Sequence, residues 1–276
     1  MLEIRELTRR FGENTAVDHV SFEVPAGQMT GFVGANGAGK TTTMRMVMGV
    51  LGIDGGEVCW QGRPITRLDR RTFGYMPEER GLYPKQPIID QLVYVAQLKG
   101  MTRTGARRQV QELLERFGLG ERAKDHLEKL SLGNQQRVQI IASVLPRPAA
   151  LILDEPFSGL DPRAVDSMVD LLRDYTRDDI PVLFSSHQLD LVERLCDRLV
   201  VLADGRRVAA GTVSELRDAG VPRFRLVLGG DAGWVRDQGG VEVLDLDGTT
   251  ALVEVRQAGA EQHLIAEATS RGAVHE

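Results

Sequence analysis

The sequence predicts an α/β protein, with a buried and largely parallel sheet, an inserted helical block and a small α+β appendage at the C-terminal end. Three observations carry that expectation. Short apolar runs alternate with helix-length segments between Met29 and Leu202, the pattern of a sheet covered by helices on its faces. A glycine-rich loop, Gly34 to Thr41, joins one apolar run directly to a helix. Near residue 220 the pattern changes to polar/apolar alternation around an Asp247-Gly248 turn, a strong hairpin signal.

Taken in order, Ser21-Phe22-Glu23-Val24 alternates as a strand, Pro25 to Gln28 turns, and Met29 to Val33 forms a short apolar strand. A helix is expected from Thr41 to Val50, ended with the help of Gly52; Gly55-Gly56 opens a strand through Trp60, and another runs from Thr72 to Met76 until Pro77 stops it. Residues 88–117 read as helical. Ile88, Leu92, Val95 and Leu98 share one face, Val110, Leu113, Leu114 and Phe117 another, and Gly118 closes the run. Strands follow at Ala149 to Leu153, Pro181 to Phe184 and Leu199 to Leu202, and helices at Pro162 to Tyr175 and Leu189 to Leu195. In the appendage, Phe224 to Leu228, Val241 to Leu246 and Ala251 to Val255 are strands and Ala260 to Ser270 is a helix, with no closing strand in Ala273 to Glu276.

Composition narrows the function classes. Of 276 residues, 42% are hydrophobic and 26% charged, the balance of a folded soluble protein. No run approaches the 18 apolar residues of a spanning helix, and the first residues lack the basic end and apolar core of a secretory signal, so a cytosolic chain is expected. Cys59 and Cys196 are far apart, without the spacing of a zinc site or a disulfide framework, and read as inert packing residues. The net charge is −5, and residues 221–276 hold five basic against nine acidic side chains; no basic face for nucleic acid is expected.

Gly34-Ala35-Asn36-Gly37-Ala38-Gly39-Lys40-Thr41 fits the phosphate-loop pattern G-x-x-x-x-G-K-[ST] between a strand and a helix. The glycines let backbone N–H groups curl around phosphate oxygens, and the helix N-terminus adds favourable partial charge. Lys40 is expected to reach the β and γ phosphates of a nucleoside triphosphate, and the Thr41 hydroxyl to ligate Mg²⁺. Leu151-Ile152-Leu153-Asp154-Glu155 is an apolar strand ending in two acids whose side chains point differently. Asp154 is assigned to the Mg²⁺ hydration shell, and Glu155 to polarising the attacking water.

With these motifs in place, the chain resembles the nucleotide-binding subunit of ATP-binding cassette transporters over roughly residues 1–215. Leu130-Ser131-Leu132-Gly133-Asn134-Gln135-Gln136-Arg137-Val138 is similar to the family signature Leu-Ser-Gly-Gly-Gln and its continuation, and it lies between the two nucleotide motifs. A helix from Gln135 is expected to aim its N-terminus at phosphate. The resemblance implies further roles: Phe11 stacks on adenine; Asn36 to Thr42 cradles ATP (Asn36, Gly37, Ala38, Gly39, Lys40, Thr41, Thr42); Asp161, in Ser158-Gly159-Leu160-Asp161-Pro162, reaches across a dimer; and His187 contacts the γ phosphate. Ser131 and Gly133 would meet the ATP held by the other copy. It also implies the full architecture: a P-loop NTPase core with an antiparallel β subdomain and a helical subdomain at about 80–145, together spanning 1–218, followed by a C-terminal α+β domain at 219–276.

The departures from the family pattern are Leu132 for its first signature glycine, Asn134 for its glutamine, and Glu78 where many relatives carry a glutamine after the strand ending at Pro77. A carboxylate at 78 can meet Mg²⁺ but cannot donate as an amide does. Pro77-Glu78-Glu79-Arg80-Gly81-Leu82-Tyr83-Pro84, with the altered signature, resembles the exporter branch that includes sodium-extrusion and related ABC-2-type ATPases, whose members often carry a small C-terminal domain. The implied protein is an ATPase that takes ATP and Mg²⁺, forms a homodimer or heterodimer of ATPase subunits, and drives an integral membrane permease in a separate chain. It would be cytoplasmic, peripheral on the inner face of the membrane, with the helical block at 80–128 as its docking surface. The alternative is a non-transport ATPase of the same architecture acting on nucleic acid or the ribosome.

Overall fold

The computed structural model describes residues 1–79, 81–218, 223–257 and 259–272. Arg80 of the Pro77–Pro84 motif and residues 273–276 lie outside them, and so do residues 219–222, beside the expected boundary at 218/219. The chain forms two compact units, Met1–Val213 and Ser214–Glu276.

In the first unit the elements run β1 (Leu2–Phe11), β2 (Asn14–Val24), β3 (Met29–Val33), α1 (Lys40–Val47), β4 (Gly55–Trp60), β5 (Arg63–Pro64), α2 (Arg67–Arg71) and β6 (Gly74–Met76). Three helices follow, α3 (Ile88–Leu98), α4 (Arg103–Arg116) and α5 (Leu132–Val144), then β7 (Leu151–Leu153), α6 (Pro162–Arg177), β8 (Val182–Ser186), α7 (Leu189–Leu195), β9 (Arg198–Ala203) and β10 (Arg206–Thr212). One sheet is antiparallel in the order β2-β1-β4-β5; the other has the order β10-β9-β3-β8-β7-β6. In that second sheet only β10 runs antiparallel to its neighbour. Every residue of β3, β7 and β8 is buried, as expected for parallel strands covered on both faces. The core between the two sheets gathers Leu2, Ile4, Phe22, Phe32, Met44 and Phe73 with their neighbours. The architecture is that of a P-loop NTPase. No helix among the described residues is long and apolar enough to cross a membrane.

Several boundaries differ from expectation for local reasons. The helical run at 88–117 is two helices: Gly100 turns left-handed (φ 97°), and Thr102 caps α4 by accepting from the Gly105 N–H at 3.2 Å. The strand expected from Thr72 begins only at Gly74, because Thr72 closes α2. That short helix is held by a Thr66/Asp69 capping box. The helix expected from Gln135 begins at Leu132 with Ser131 as its cap. Neither β1 nor β10 was read from the sequence. Cys59 and Cys196 are buried and free.

The second unit contains α8 (Val213–Asp218) from Ser214 onward, β11 (Arg223–Val227), β12 (Val241–Asp247), β13 (Thr250–Val255) and α9 (Ala260–Arg271). Its sheet has the order β11-β13-β12, all antiparallel. Leu226, Val235, Ala251, Val253, Leu264 and Ala268 form its core.

Candidate functional site

The order β3-β8-β7-β6 places the carboxyl ends of four parallel strands side by side, so the loops that leave them share one edge of the sheet. Ligand sites of open α/β sheets form at this edge. After β3 comes the loop Gly34–Gly39; after β8, His187; after β7, Asp154 and Glu155; after β6, Pro77 and Glu78.

In the phosphate loop Gly39 caps α1 with φ 98°, and a Cβ there would stand 2.6 Å from the Ala16 carbonyl oxygen. Only glycine satisfies both constraints. Asn36 and Gly37 are exposed, Ala38 and Lys40 are buried, and Thr41 and Thr42 are half-buried in the first turn of α1. Lys40 Nζ donates to the Gly34 and Ala35 carbonyls at 2.6 and 3.2 Å, so the ammonium is stored across the loop whose N–H groups would meet phosphate. The Thr41 hydroxyl lies 3.5 Å from Glu78 Oε2.

Asp154 is completely buried. Its Oδ1 accepts from the Ser185 hydroxyl at 2.6 Å, while Oδ2 is buried with no protein partner. Such an atom is costly unless a cation or its water shell compensates it. Among the described residues no group of three or more His, Cys, Asp or Glu could hold a metal alone. That fits Mg²⁺, which takes a hydroxyl, one or two carboxylates, phosphate oxygens and water rather than an all-protein cage. Thr41, Asp154 and Glu78 are suitable donors, and the residues present fit the ion.

Glu155 is held from three directions. Its N–H donates to Ser185 Oγ at 2.8 Å, its carbonyl accepts from Gln136 Nε2 at 3.1 Å, and its carboxylate Oε2 lies 3.0 Å from His187 Nδ1. These contacts fix a non-glycine residue in the left-handed region, φ 49°, a strained conformation that persists where the surroundings over-determine it. Asn36, Glu78, Leu132, Gln136, Glu155, Ser158, Gly159 and His187 line one cavity of about 300 Å³.

The remaining candidates lie outside that cavity. Phe11 is exposed at the end of β1, and one face carries the Arg9 guanidinium 4.9 Å from its centroid, itself held by Asp54 at 2.8 Å. Ser131 is exposed and accepts from the Asn134 N–H at 3.4 Å. Gly133 packs so closely that a Cβ would stand 2.9 Å from the Gly159 carbonyl oxygen. Asp161 caps α6 through the Ala164 N–H at 3.0 Å and pairs with Arg137 at 2.8 Å. Those two partners hold its carboxyl below the usual carboxylate range. Ser185, Gln136 and Arg9 were not singled out from sequence, although Gln136 lies within the signature run and Ser185 two residues before His187.

The family model described as ABC transporter matches residues 17–158. An uncharacterised ABC transporter ATP-binding protein of Bacillus subtilis strain 168, YhaQ, is 46% identical over 79% of this chain and 73% of its own. The Nod factor export ATP-binding protein I of Paraburkholderia xenovorans strain LB400 is 35% identical over 78% of this chain and 72% of its own. A solved ATP-binding subunit of an ABC transporter superposes with a TM-score of 0.73 at 31% identity, over 79% of this chain and 92% of that one.

Proposed function

The chain belongs to the ABC transporter family as an ATP-binding subunit that hydrolyses ATP, and on that premise we propose that it powers export through a separate integral membrane permease. Two copies, or one copy and a related subunit, would close around two ATP molecules. The observation that carries the hydrolytic reading is Glu155, pinned beside His187 at the mouth of the same cavity as Asn36 and Glu78. Exposed backbone of the phosphate loop binds the phosphates, Lys40 transfers its ammonium from the Gly34 and Ala35 carbonyls to phosphate oxygens, and Phe11 offers its ring to adenine. Glu155 accepts a proton from the attacking water, and His187 both orients that carboxylate and faces the γ phosphate. Mg²⁺, when bound through Thr41, Asp154 and Glu78, supplies charge neutralisation at the phosphates.

Dimerisation is supported by the N-terminus of α5, a helix start suited to phosphate, where Ser131 is exposed and Leu132 stands exposed at the rim of the cavity. Asp161 stays exposed while it pairs with Arg137 and is open to a second copy from there. Docking of the permease at 80–128 is supported by a groove of about 880 Å³ whose wall includes Phe73, Pro77, Leu82, Val95 and Leu98, next to the Glu78 loop. Export as the direction rests on the likeness to the Nod factor export protein. Through such a permease the subunit would sit on the cytoplasmic face of the membrane.

Glu155→Gln tests the core of this reading. Turnover should fall about 10²- to 10⁴-fold, the range for a positioned general base, while ATP binding persists and light scattering reports a dimer with ATP and Mg²⁺. A monomer under saturating nucleotide counts against the sandwich, and undiminished turnover removes Glu155 from the chemistry. Ser131→Arg in the same chain should abolish the dimer.

A further inference from the structure

Two glutamines on one face of α5 reach into the two acidic loops. Gln136 Nε2 donates to the Glu155 and Pro156 carbonyls at 3.1 and 3.2 Å. One helical turn on, Gln139 Nε2 donates to the Pro77 and Glu79 carbonyls at 2.6 and 3.3 Å, the carbonyls on either side of Glu78. Both side chains are buried, 8% and 5% exposed. The segments they grip follow β6 and β7 as irregular chain, so their carbonyls lack ladder partners; the Glu155 carbonyl also accepts from the Ser158 N–H at 3.2 Å, and the glutamines supply the side-chain donors to the four carbonyls. A primary amide has two N–H donors at the end of a reach that spans two carbonyls, whereas Met and Leu of similar size have none.

We infer that Gln136 and Gln139 are positioning residues, through which α5 holds Glu155 and Glu78 at the nucleotide site. The Gln139 arm rests on the proposed role of Glu78 toward the nucleotide's Mg²⁺. With the grip in place, the backbone on both sides of Glu78 is fixed and its carboxylate stays near the Thr41 hydroxyl. With the grip removed, the Glu78 segment keeps its sequence but loses its preorganisation. Gln136 does the same for the backbone behind Glu155. Because Ser131 caps this same helix, the element that would meet a second copy's nucleotide also sets the two acids of its own site.

The test uses the full-length chain and titration calorimetry with a non-hydrolysable ATP analogue, in Mg²⁺ and in EDTA. Gln139→Met should weaken binding in Mg²⁺ about 5- to 10-fold, the worth of one to two buried hydrogen bonds, and leave binding in EDTA within about twofold. Gln139→Asn, which keeps the amide but falls a methylene short, should show the same loss and serves if the Met variant does not fold. Glu78→Ala should also lose the Mg²⁺-dependent part, and Gln139→Met/Glu78→Ala should bind no worse than Glu78→Ala alone. A Gln139→Met variant that binds as wild type in Mg²⁺, or that weakens the EDTA titration equally, or whose loss adds to that of Glu78→Ala, overturns the link while the metal reading of Glu78 stands. A silent Glu78→Ala removes that reading, and this arm of the proposal with it. For the other arm, Gln136→Met should lower kcat about 5- to 10-fold with KM unchanged; an unchanged kcat overturns it.

Discussion

Asp154→Asn should move stability and ligand binding in opposite directions. In the nucleotide-free chain the carboxylate is wholly buried, one oxygen accepts from Ser185, and the other has no protein partner. Asparagine keeps the acceptor for Ser185 and exchanges the unpaired carboxylate oxygen for a neutral NH2, whose own N–H donors stay unpaired there. An unpaired buried neutral group costs about 1–3 kcal/mol and a charged one more, so only that difference is recovered, and the apo transition of the first unit should rise by about 2–4 °C for each kcal/mol of it. Adding the ATP analogue and Mg²⁺ at a hundred times Kd should stabilise the wild type by about 2.7 kcal/mol, and the variant should lose the Mg²⁺-dependent part of that gain. Scanning calorimetry of both proteins, with and without ligand, reads both effects. An apo variant that melts at or below the wild type refutes the argument from the orphaned oxygen. A full Mg²⁺-dependent gain in the variant refutes the role at the metal.

Lys40→Ala removes a charge-assisted donor worth about 1.5–3 kcal/mol, so ATP affinity should fall roughly 10- to 150-fold by equilibrium binding; unchanged affinity would contradict the phosphate-loop assignment. Gly31→Ala places a Cβ 2.3 Å from Val192 Cγ1, 2.8 Å from Cys196 Sγ and 2.9 Å from Leu199 Cδ2, in the middle of the parallel sheet. Such overpacking should cost about 1–3 kcal/mol in urea unfolding, and a neutral result would mean that α7 shifts freely on β3. Burial pushes the Cys196 thiol well above the ordinary thiol range. Its contribution to stability is therefore full below the unfolded thiol's pKa of about 8.5 and declines as pH rises from there toward the folded value, by at most about 1.4 kcal/mol per pH unit. Cys196→Ala should make that alkaline decline shallower in unfolding curves taken from pH 8 to 10.

What the sequence determined by itself is what local chemistry specifies. A loop that wraps phosphate must be glycine-rich and must end in Lys-Thr at a helix start, so Gly34–Thr41 was legible from spacing. The buried strands Met29–Val33 and Leu151–Leu153 were legible from short, mostly apolar runs, and the β12–β13 hairpin from Asp247-Gly248 between alternating strands. Elements were misplaced where capping competed with periodicity: Ser131 starts α5 ahead of Gln135, and Thr102 splits one helical run into two. Only the tertiary structure decided which distant groups meet. Strand order brings the ends of β3, β8, β7 and β6 to one edge and places Ser185 between Asp154 and Glu155, and packing of α5 gives Asp161 to Arg137. It also makes Gln136, inside the signature run, and Gln139, just after it, the donors to the segments of Glu155 and Glu78. None of these pairings could be read along the chain, because hydrogen-bond geometry between residues 19 to 62 positions apart is fixed by strand order and by the packing of α5 and not by the spacing of side chains along the sequence.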